Sequence, residues 1–336
     1  MRQTGIDSIG GGGFNEKVFH NVFNRVFSLE NLFLAWREFK KGKRKRPDVQ
    51  DFEFNLEDNL FQLRHELKNQ TYRHGSYTPF CVTDPKLRHI HKATVRDRVL
   101  HQAVFRVLYP VFDKYFIFDS YSCRVGRGTH RAVTRLETFC RKLSRNNARA
   151  VFALKCDIKR FFDSVDQEIL IGLISRKIKD TNALCLVEKI VKSFPKGLPL
   201  GNVTSQLFAN IYLNQLDQFI KHNLKERYYI RYCDDFVILG ESQEYLSESS
   251  QKINNFLMGK LNLSLHPSKI IIRQYRQGID FLGYVVLPRH MVLRTRTKKR
   301  LLRRVTGKNI PSYLGVLRHC RGFRIKQAIE RKIYRP

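Results

Sequence analysis

The chain has 336 residues, 42% of them hydrophobic, and its 62 Lys and Arg outnumber 30 Asp and Glu, for a formal net charge of +32. This length supports a sizeable core with two or three subdomains, and the charge favours a polyanionic partner such as nucleic acid. A ribosomal or chromatin-like scaffold is a rival that 25 Phe and 14 Tyr disfavour. The sequence has no run of about 18 apolar residues and no signal-peptide pattern, so we expect a cytoplasmic protein without a membrane partner. Seven scattered cysteines without a CxxC pair favour reduced thiols over a zinc site or a disulfide framework.

Helical patterns dominate the first third of the chain. Residues 1–28, with glycines at 10–13, are predicted to form a flexible extension. Apolar residues recur at helical spacing in "LENLFLAWREF" and again in "LEDNLFQLRHELK", which predicts two helices. The basic stretch "FCVTDPKLRHIHK" is predicted to be extended and broken at Pro85, and a helix is predicted from about Arg96. The glycine-punctuated, basic residues 118–131 are predicted to form a loop that touches a nucleic-acid backbone.

Carboxylates mark two later segments. In "VFALKCDIKRFFDSVD" an apolar strand pattern leads to Asp157, and in "YYIRYCDDFVILG" two strand patterns flank Asp234 and Asp235. Two adjacent aspartates are also an ordinary turn sequence. If the strand end and the hairpin turn meet, however, three carboxylates converge, and like charges that close raise one another's pKa. Two Mg²⁺ ions would relieve that repulsion and would support in-line phosphoryl transfer.

Two further segments are informative: a glycine-containing loop before a helix, and a basic stretch near the C-terminus. "KGLPLGNVTSQ" precedes a long amphipathic helix, and its glycines permit close approach of a base pair or sugar, although a plain loop and helix cap explain them equally. "RTRTKKRLLRR", residues 294–304, holds seven basic residues and is predicted to be a helix along a nucleic-acid backbone. Only one acidic residue, Glu330, follows Asp280, so no carboxylate cluster for a nuclease can be assembled there.

Five stretches in order resemble the motifs A to E of reverse transcriptases: "CDIKRFFD", "GLPLGNVTSQ", "YCDD", "LNLSLHPSK" and "GIDFLGY". With the upstream "PKLRHIHKATVRDRVLHQAV" and "SYSCRVGRGTH", the resemblance covers roughly residues 30–325. It implies an α+β, right-hand polymerase fold: fingers and palm over residues 29–288, with the palm core at about 150–288, and a short, basic, helical thumb over 289–336. It also implies an RNA-directed DNA polymerase that uses two Mg²⁺ ions, which Mn²⁺ can replace, and that binds template RNA, a primer or cDNA, and dNTPs.

The same resemblance implies roles for individual residues. The metal-binding catalytic residues are Asp157, Asp234 and Asp235, and Lys269 is a candidate general acid with a surface lysine as the alternative. Phe162 matches the steric gate against a ribose 2′-OH, whereas Phe161 is expected in the core. Further candidates for the dNTP site are Ile158, Gln206, Lys86, Arg88 and Arg96, the last three for the triphosphate or the template. Candidates for template and primer contacts are Leu200, Gly201, Arg294, Arg296, Lys298, Lys299, Arg300, Arg303 and Arg304.

The loop "LGNVTSQ" departs from the Gln-Gly…Ser-Pro pattern of intron, retron and retroviral enzymes at Leu200 and Gln206. This version is similar to the enzymes of diversity-generating retroelements, as are the compact length and "SYLGVLRHC". That subgroup implies error-prone copying at template adenines for mutagenic retrohoming, and a small basic accessory protein as partner. Two alternatives stay open: a reverse transcriptase of another bacterial lineage, group II intron-like or phage-defence, and a catalytically idle nucleic-acid-binding homologue.

Overall fold

The computed structural model describes residues 18–83 and 87–334, and most of the predicted N-terminal extension lies outside these ranges. Within them the chain mixes helices and strands, as predicted. The α-helices are α1 Val22–Val26, α2 Leu29–Phe39, α3 Pro47–Phe54, α4 Leu56–Lys68, α5 Val95–Phe112, α6 Thr129–Leu143, α7 Phe161–Ser164, α8 Gln167–Ser175, α9 Thr181–Lys192, α10 Val203–Gln218, α11 Gln243–Leu261, α12 Thr295–Arg304, α13 Ile310–Leu317 and α14 Phe323–Tyr334. The strands are β1 Thr78–Val82, β2 Arg88–Lys92, β3 Phe152–Asp157, β4 Tyr229–Tyr232, β5 Asp235–Gly240, β6 Ile271–Gln274, β7 Ile279–Phe281, β8 Tyr284–Val286 and β9 Met291–Leu293.

The helices predicted in the first third of the chain bury their apolar faces in the core. Ser28 caps α2 by accepting a hydrogen bond from the Asn31 backbone, and α2 buries Leu32, Trp36 and Phe39. The buried leucines of α4 lie at helical spacing on the face that packs against α2. Both helices, and the helix predicted from about Arg96, are confirmed.

A four-stranded antiparallel sheet carries the acidic segments in the described part of the chain, with strand order β4-β5-β3-β6. Residues alternate between its two faces along β3, as the period of a strand requires. Leu154 and Cys156 join the large core formed with α10 and α11. Ala153 joins a second core, formed with α6 and the sheet β7-β8-β9. With both faces covered, the ends of β3 and β5 are held rigidly.

The basic elements surround this sheet. β1 and β2 form an antiparallel hairpin whose side chains are mostly exposed. Beyond β9, helix α12 begins at Thr295 and contains most of the basic run 294–304, which confirms the predicted helix. Helix α14 packs against both α12 and α13. In the described ranges no helix is both long and apolar enough to cross a membrane.

Candidate catalytic site

The end of β3 and the turn between β4 and β5 bring the three predicted carboxylates together. β3 ends at Asp157, and the antiparallel register pairs Asp157 directly with Asp235, the first residue of β5. The backbone N–H of Ile158 donates a hydrogen bond to the carbonyl of Asp234 over 3.2 Å. The strand end therefore lies against the hairpin turn, as the sequence pattern predicts.

A fully buried arginine supports this turn from below. Cys233 adopts a φ of +56°, a left-handed conformation that is unfavourable for a residue with a Cβ. The Nη1 of Arg231 donates to the carbonyl of Cys233 over 3.1 Å. The same guanidinium makes two bonds with Asp217 of α10, of 2.7 Å from Nε and 2.6 Å from Nη2. The bidentate pair fixes the guanidinium, and the guanidinium fixes the turn.

The sequence interpretation overlooked Arg231 and Asp217. Both side chains are inaccessible to solvent, and the Tyr229 hydroxyl donates a further 2.7 Å bond to Asp217. The available signal was a single charged residue inside the apolar strand pattern "YYIRY". A buried charge requires a partner, but no local rule identifies a partner fourteen residues earlier on another element.

Burial sets the electrostatics of the carboxylates. Burial, and then the neighbouring charge of Asp157, raises the pKa of Asp234 above its ordinary value. Burial raises the pKa of Asp235 to about 6, helped by Asp157 and Asp234 and opposed by Lys155. One oxygen of Asp235, Oδ1, is buried without a hydrogen-bond partner. The cluster thus resists holding its full negative charge unless a cation joins it.

Two lysines pair with two of the carboxylates. Lys269 Nζ lies 2.7 Å from Asp157 Oδ1, and Lys155 Nζ lies 3.5 Å from Asp235 Oδ2 while it donates to the carbonyl of Asp280 over 3.0 Å. Within the ranges described, no three His, Cys, Asp or Glu side chains gather around a single point as metal ligands do. The donor set nonetheless fits a hard cation, because an unpartnered Oδ1 is present and each lysine can be displaced.

The glycine loop before α10 contacts both β2 and the segment that contains Phe162. At Gly197 the φ is +69°, and a Cβ there would lie 2.2 Å from the carbonyl oxygen of Phe162. At Gly201 the φ is +114°, and a Cβ would meet the Ile90 side chain at 2.8 Å. The backbone N–H of His91 donates to the carbonyl of Leu200 over 3.1 Å. Glycine is therefore required at both positions, and the loop lies between β2 and the segment of Phe162.

The candidates for the nucleotide pocket differ in exposure. Phe161 is buried in the core, whereas Phe162 is only partly buried, and the carbonyl of Phe162 accepts a 2.7 Å bond from the Leu198 N–H. Gln206 is exposed on the first turn of α10. The side chain of Ile158 is buried, so only its backbone faces the turn.

The basic candidates of the fingers separate into three cases. Arg88 lines the cleft beside Thr83. Lys86 lies outside the described residues. Arg96 pairs with Glu66 over 2.8 Å, donates to the carbonyl of Arg73 and stacks over Tyr72. Arg96 is thus engaged by α4 and by the residues that follow it, and its contact with a triphosphate stays a prediction.

A cleft of about 950 Å³ lies between the β1–β2 hairpin, the turn between β4 and β5, and α12. Asp235 lines this cleft, together with Leu282 and Gly283 between β7 and β8. The basic side chains that line it from α12 and the residue before it are Arg294, Arg296, Lys299, Arg300, Arg303 and Arg304. Lys298 is not among its lining residues. The cleft juxtaposes the Asp235 carboxylate with a cationic wall, an arrangement suited to a polyanion that reacts at its end.

Comparison with known proteins identifies this arrangement. The family model "Reverse transcriptase (RNA-dependent DNA polymerase)" matches residues 82–286, more than half of the chain. Protein YkfC of Escherichia coli (strain K12) is 25% identical over 288 residues, which cover 70% of this chain and 71% of that protein. The group II intron-encoded protein LtrA of Lactococcus lactis subsp. cremoris is 26% identical over 370 residues, 87% of this chain and 61% of LtrA.

Among solved structures, the chain resembles telomerase from Candida albicans, solved in complex with a fragment of telomeric RNA. The TM-score is 0.50 at 11% identity, and the match covers 70% of this chain and 50% of that one. At this identity the likeness concerns the fold alone. The chain spans about three fifths of LtrA and half of this telomerase.

Proposed function

We propose that this chain, which belongs to the reverse transcriptase (RNA-dependent DNA polymerase) family, copies a template RNA into cDNA in the cleft beside the β4–β5 turn. Family membership confirms the RNA-directed DNA polymerase predicted from the ordered motifs, and with it the right-hand polymerase fold. The observation that carries the proposal for this site is the register of Asp157 with Asp235. It brings a strand-end carboxylate to the two-aspartate turn, and Asp235 of that turn lines a cationic cleft.

Asp157, Asp234 and Asp235 would hold the two divalent cations, Mg²⁺ or Mn²⁺, which lower the charge on the reacting phosphates when bound. Arg231 keeps the turn in position beneath Asp234. Lys269 would donate a proton to the leaving pyrophosphate, once its contact with Asp157 is released. Phe162 would close the pocket on the sugar side, and Arg88, which lines the cleft, would meet the triphosphate or the template.

The thumb side of the cleft would hold the template–primer duplex. Six basic side chains of residues 294–304 line the cleft, and contacts of this kind position a backbone without reading its sequence. The partners we propose are therefore template RNA, a primer or cDNA, and dNTPs. The division of residues 29–288 into fingers and palm, and of 289–336 into thumb, is part of the same proposal.

Within the family, we assign the chain to the diversity-generating subgroup. The support is the loop Leu200–Gln206, where Leu replaces a polar Gln and Gln replaces Pro. This assignment adds mutagenic retrohoming, misincorporation at template adenines and a small basic accessory protein as partner. A group II intron-like enzyme is the second candidate, since LtrA is similar over 87% of the chain. The sequence of cDNA made from a mixed-sequence RNA, with and without a neighbouring small protein, separates the two candidates.

Primer extension tests the catalytic assignment. Asp234→Asn should abolish extension of a DNA primer on an RNA template while template–primer binding persists. Asp163→Asn changes an exposed carboxylate six residues from Asp157 and is the matched control. Extension by Asp234→Asn at a rate near that of the wild type would overturn the metal-site assignment, whereas a wild-type chain that binds template–primer without extending it would favour the idle homologue.

A further inference from the structure

The outer face of α6 carries a row of basic residues that the catalytic site does not use. The inner face of α6 buries Ala132, Val133, Leu136 and Phe139 against the palm sheet. Arg131, Arg135, Arg141 and Lys142 lie on the remaining surface, at spacings that bring them to one side of a helix. Glu137 is the only acidic residue in the sequence of α6. The outer face is therefore strongly cationic over its whole length.

Three cavities follow α6 in order from the cleft outward. Thr129, the first residue of α6, lines the catalytic cleft and donates a hydrogen bond to the Tyr232 hydroxyl. The next cavity, of about 380 Å³, is lined by residues before α6, by the first part of α6 itself and by His319. Thr138 lines this cavity and also a third one, of about 400 Å³, which Arg141 and Arg145 border. The basic face is thus continuous with the cleft and about 22 Å long, at 1.5 Å per helical residue.

Aromatic rings accompany the charges in the middle cavity. Phe118 is 60% exposed, and the guanidinium of Arg127 lies 4.0 Å from the centre of its ring. His130 stacks on His319 with ring centres 3.8 Å apart. Arg135 pairs with the mostly buried Asp119, which compensates only part of the local charge. Exposed rings between guanidinium groups match surfaces that stack bases of single strands while the cations bind phosphates.

We propose that this surface, the α6 track formed by Phe118, Arg127, Arg131, Arg135, Arg141, Lys142 and Arg145, binds single-stranded RNA that continues out of the catalytic cleft. Single-stranded RNA fits because exposed rings need unpaired bases, and because RNA must be bound before any cDNA exists. The inference rests on the proposed function in one respect: the RNA on the track is the molecule that enters the cleft. The track itself contains none of the proposed catalytic residues.

Binding measurements on the full chain test the charges of the track. The variant Arg141→Gln/Lys142→Gln/Arg145→Gln changes its distal end, and Arg25→Gln/Arg176→Gln/Lys252→Gln removes the same charge from exposed residues elsewhere. The probe is an unstructured, fluorescent RNA of about 12 nucleotides, within the site sizes of single-strand binding proteins. Three lost phosphate contacts should lower the slope of log affinity against log salt by about 2. The control variant should keep the wild-type slope.

Exposed phenylalanines provide a second matched pair. Phe118→Ala should reduce photocrosslinking of 4-thiouridine RNA to the peptides of residues 118–145. Phe54→Ala, which changes an 86% exposed ring on α3, should leave these crosslinks unchanged. Because both side chains are exposed, neither substitution is expected to disturb folding.

A short RNA–DNA template–primer, with a template overhang only long enough to code for a few added nucleotides, separates this proposal from the catalytic one. All four track and control variants should extend it at the wild-type rate, because it does not reach beyond the cleft. An unchanged salt slope in the triple variant, or crosslinks that avoid residues 118–145, would overturn the track even if extension is normal. Weakened binding of single-stranded DNA alone would overturn it as an RNA site. Loss of extension by Asp234→Asn bears only on the catalytic site.

Discussion

The Nζ of Lys269 lies 2.7 Å from the Oδ1 of Asp157, so the proposed general acid and a proposed metal ligand form an ion pair. An ammonium and a divalent cation compete for the same carboxylate. Lys269→Gln should therefore lower the Mg²⁺ concentration needed for half-maximal primer extension. It should also lower kcat by about 10²-fold or more if the lysine donates a proton. Both quantities come from extension rates over a Mg²⁺ titration.

Lys269→Arg separates the two effects. An arginine keeps the positive charge but does not release a proton, so kcat should fall while the Mg²⁺ requirement stays near that of the wild type. If both variants retain the wild-type kcat, Lys269 is a surface lysine and another group protonates the leaving pyrophosphate.

Substitution of Arg231 tests whether its hydrogen bond to the Cys233 carbonyl positions the turn that carries Asp234 and Asp235. Arg231→Lys keeps the charge, but an ammonium cannot replace the planar guanidinium that donates both to the Asp217 carboxylate and to the Cys233 carbonyl. We expect lower stability and a higher KM for dNTPs or a higher Mg²⁺ requirement, because the Cys233 turn loses its hydrogen bond. Tyr229→Phe removes another bond to Asp217 without touching the turn. This control should lose stability alone, and an equal kinetic change in both variants would contradict the positioning role.

The pKa of Asp235, raised to about 6, predicts a pH dependence of stability. A raised carboxyl pKa means that the folded protein binds the proton more tightly than the unfolded chain does. Protonation of Asp235 therefore stabilises the folded protein. This stabilisation is fully present below about pH 4, where the unfolded chain is also protonated, and it is lost as the pH rises through 6. Its size is roughly 3 kcal/mol at 1.36 kcal/mol per pKa unit.

Metal-free Asp235→Asn should therefore be more stable than the wild type at pH 7.5, and the difference should disappear at pH 4. Urea unfolding at the two pH values measures this, with Asp163→Asn as the exposed control. A variant that is less stable than the wild type at pH 7.5 would show that burial of the ionised Asp235 does not destabilise the folded protein.

The sequence predicted the elements whose signals are local. The apolar period of α2, the strand before Asp157 and the hairpin around Asp234 each depend on a few adjacent residues, and the structure contains all three. Contacts between distant residues were not predictable in this way. Lys155 meets Asp235 only because β3 and β5 pair in one register.

Arg96 illustrates the converse. The family resemblance made Arg96 a candidate for the triphosphate or the template, and this contact stays a prediction, but only the structure shows that Glu66, thirty residues earlier, accepts its hydrogen bonds. A partner on another helix is not visible in a local pattern.

Sugar selection distinguishes two neighbouring phenylalanines. Phe162→Ala should admit ribonucleotides more readily, because the partly buried ring no longer crowds a 2′-OH. Phe161→Ala should instead cost about 3–5 kcal/mol of stability, the usual loss for a buried Phe. Competition between rNTP and dNTP incorporation, with unfolding curves for both variants, tests the pair. Equal discrimination in Phe162→Ala and wild type would reject the gate.

Fidelity is the property most closely linked to Leu200. Its carbonyl is bound by the His91 N–H of the fingers, so the backbone of the loop is fixed and a substitution changes mainly the side chain. A Gln at this position can hydrogen-bond near the nascent pair, whereas Leu can only pack. Discrimination is a difference in transition-state energy, and each 1.4 kcal/mol lost raises the error rate about tenfold.

We therefore expect misincorporation mainly opposite template adenines, and we expect Leu200→Gln to lower that error rate more than it changes correct extension. Leu198→Met, at a buried position of the same loop, is the matched control and should leave the error spectrum unchanged, because it adds no hydrogen-bonding group. Deep sequencing of cDNA from a mixed-sequence RNA template gives all the rates. A low, uniform error rate across the four template bases would remove the mutagenic assignment, because the loss of polar contacts would then carry no cost in discrimination.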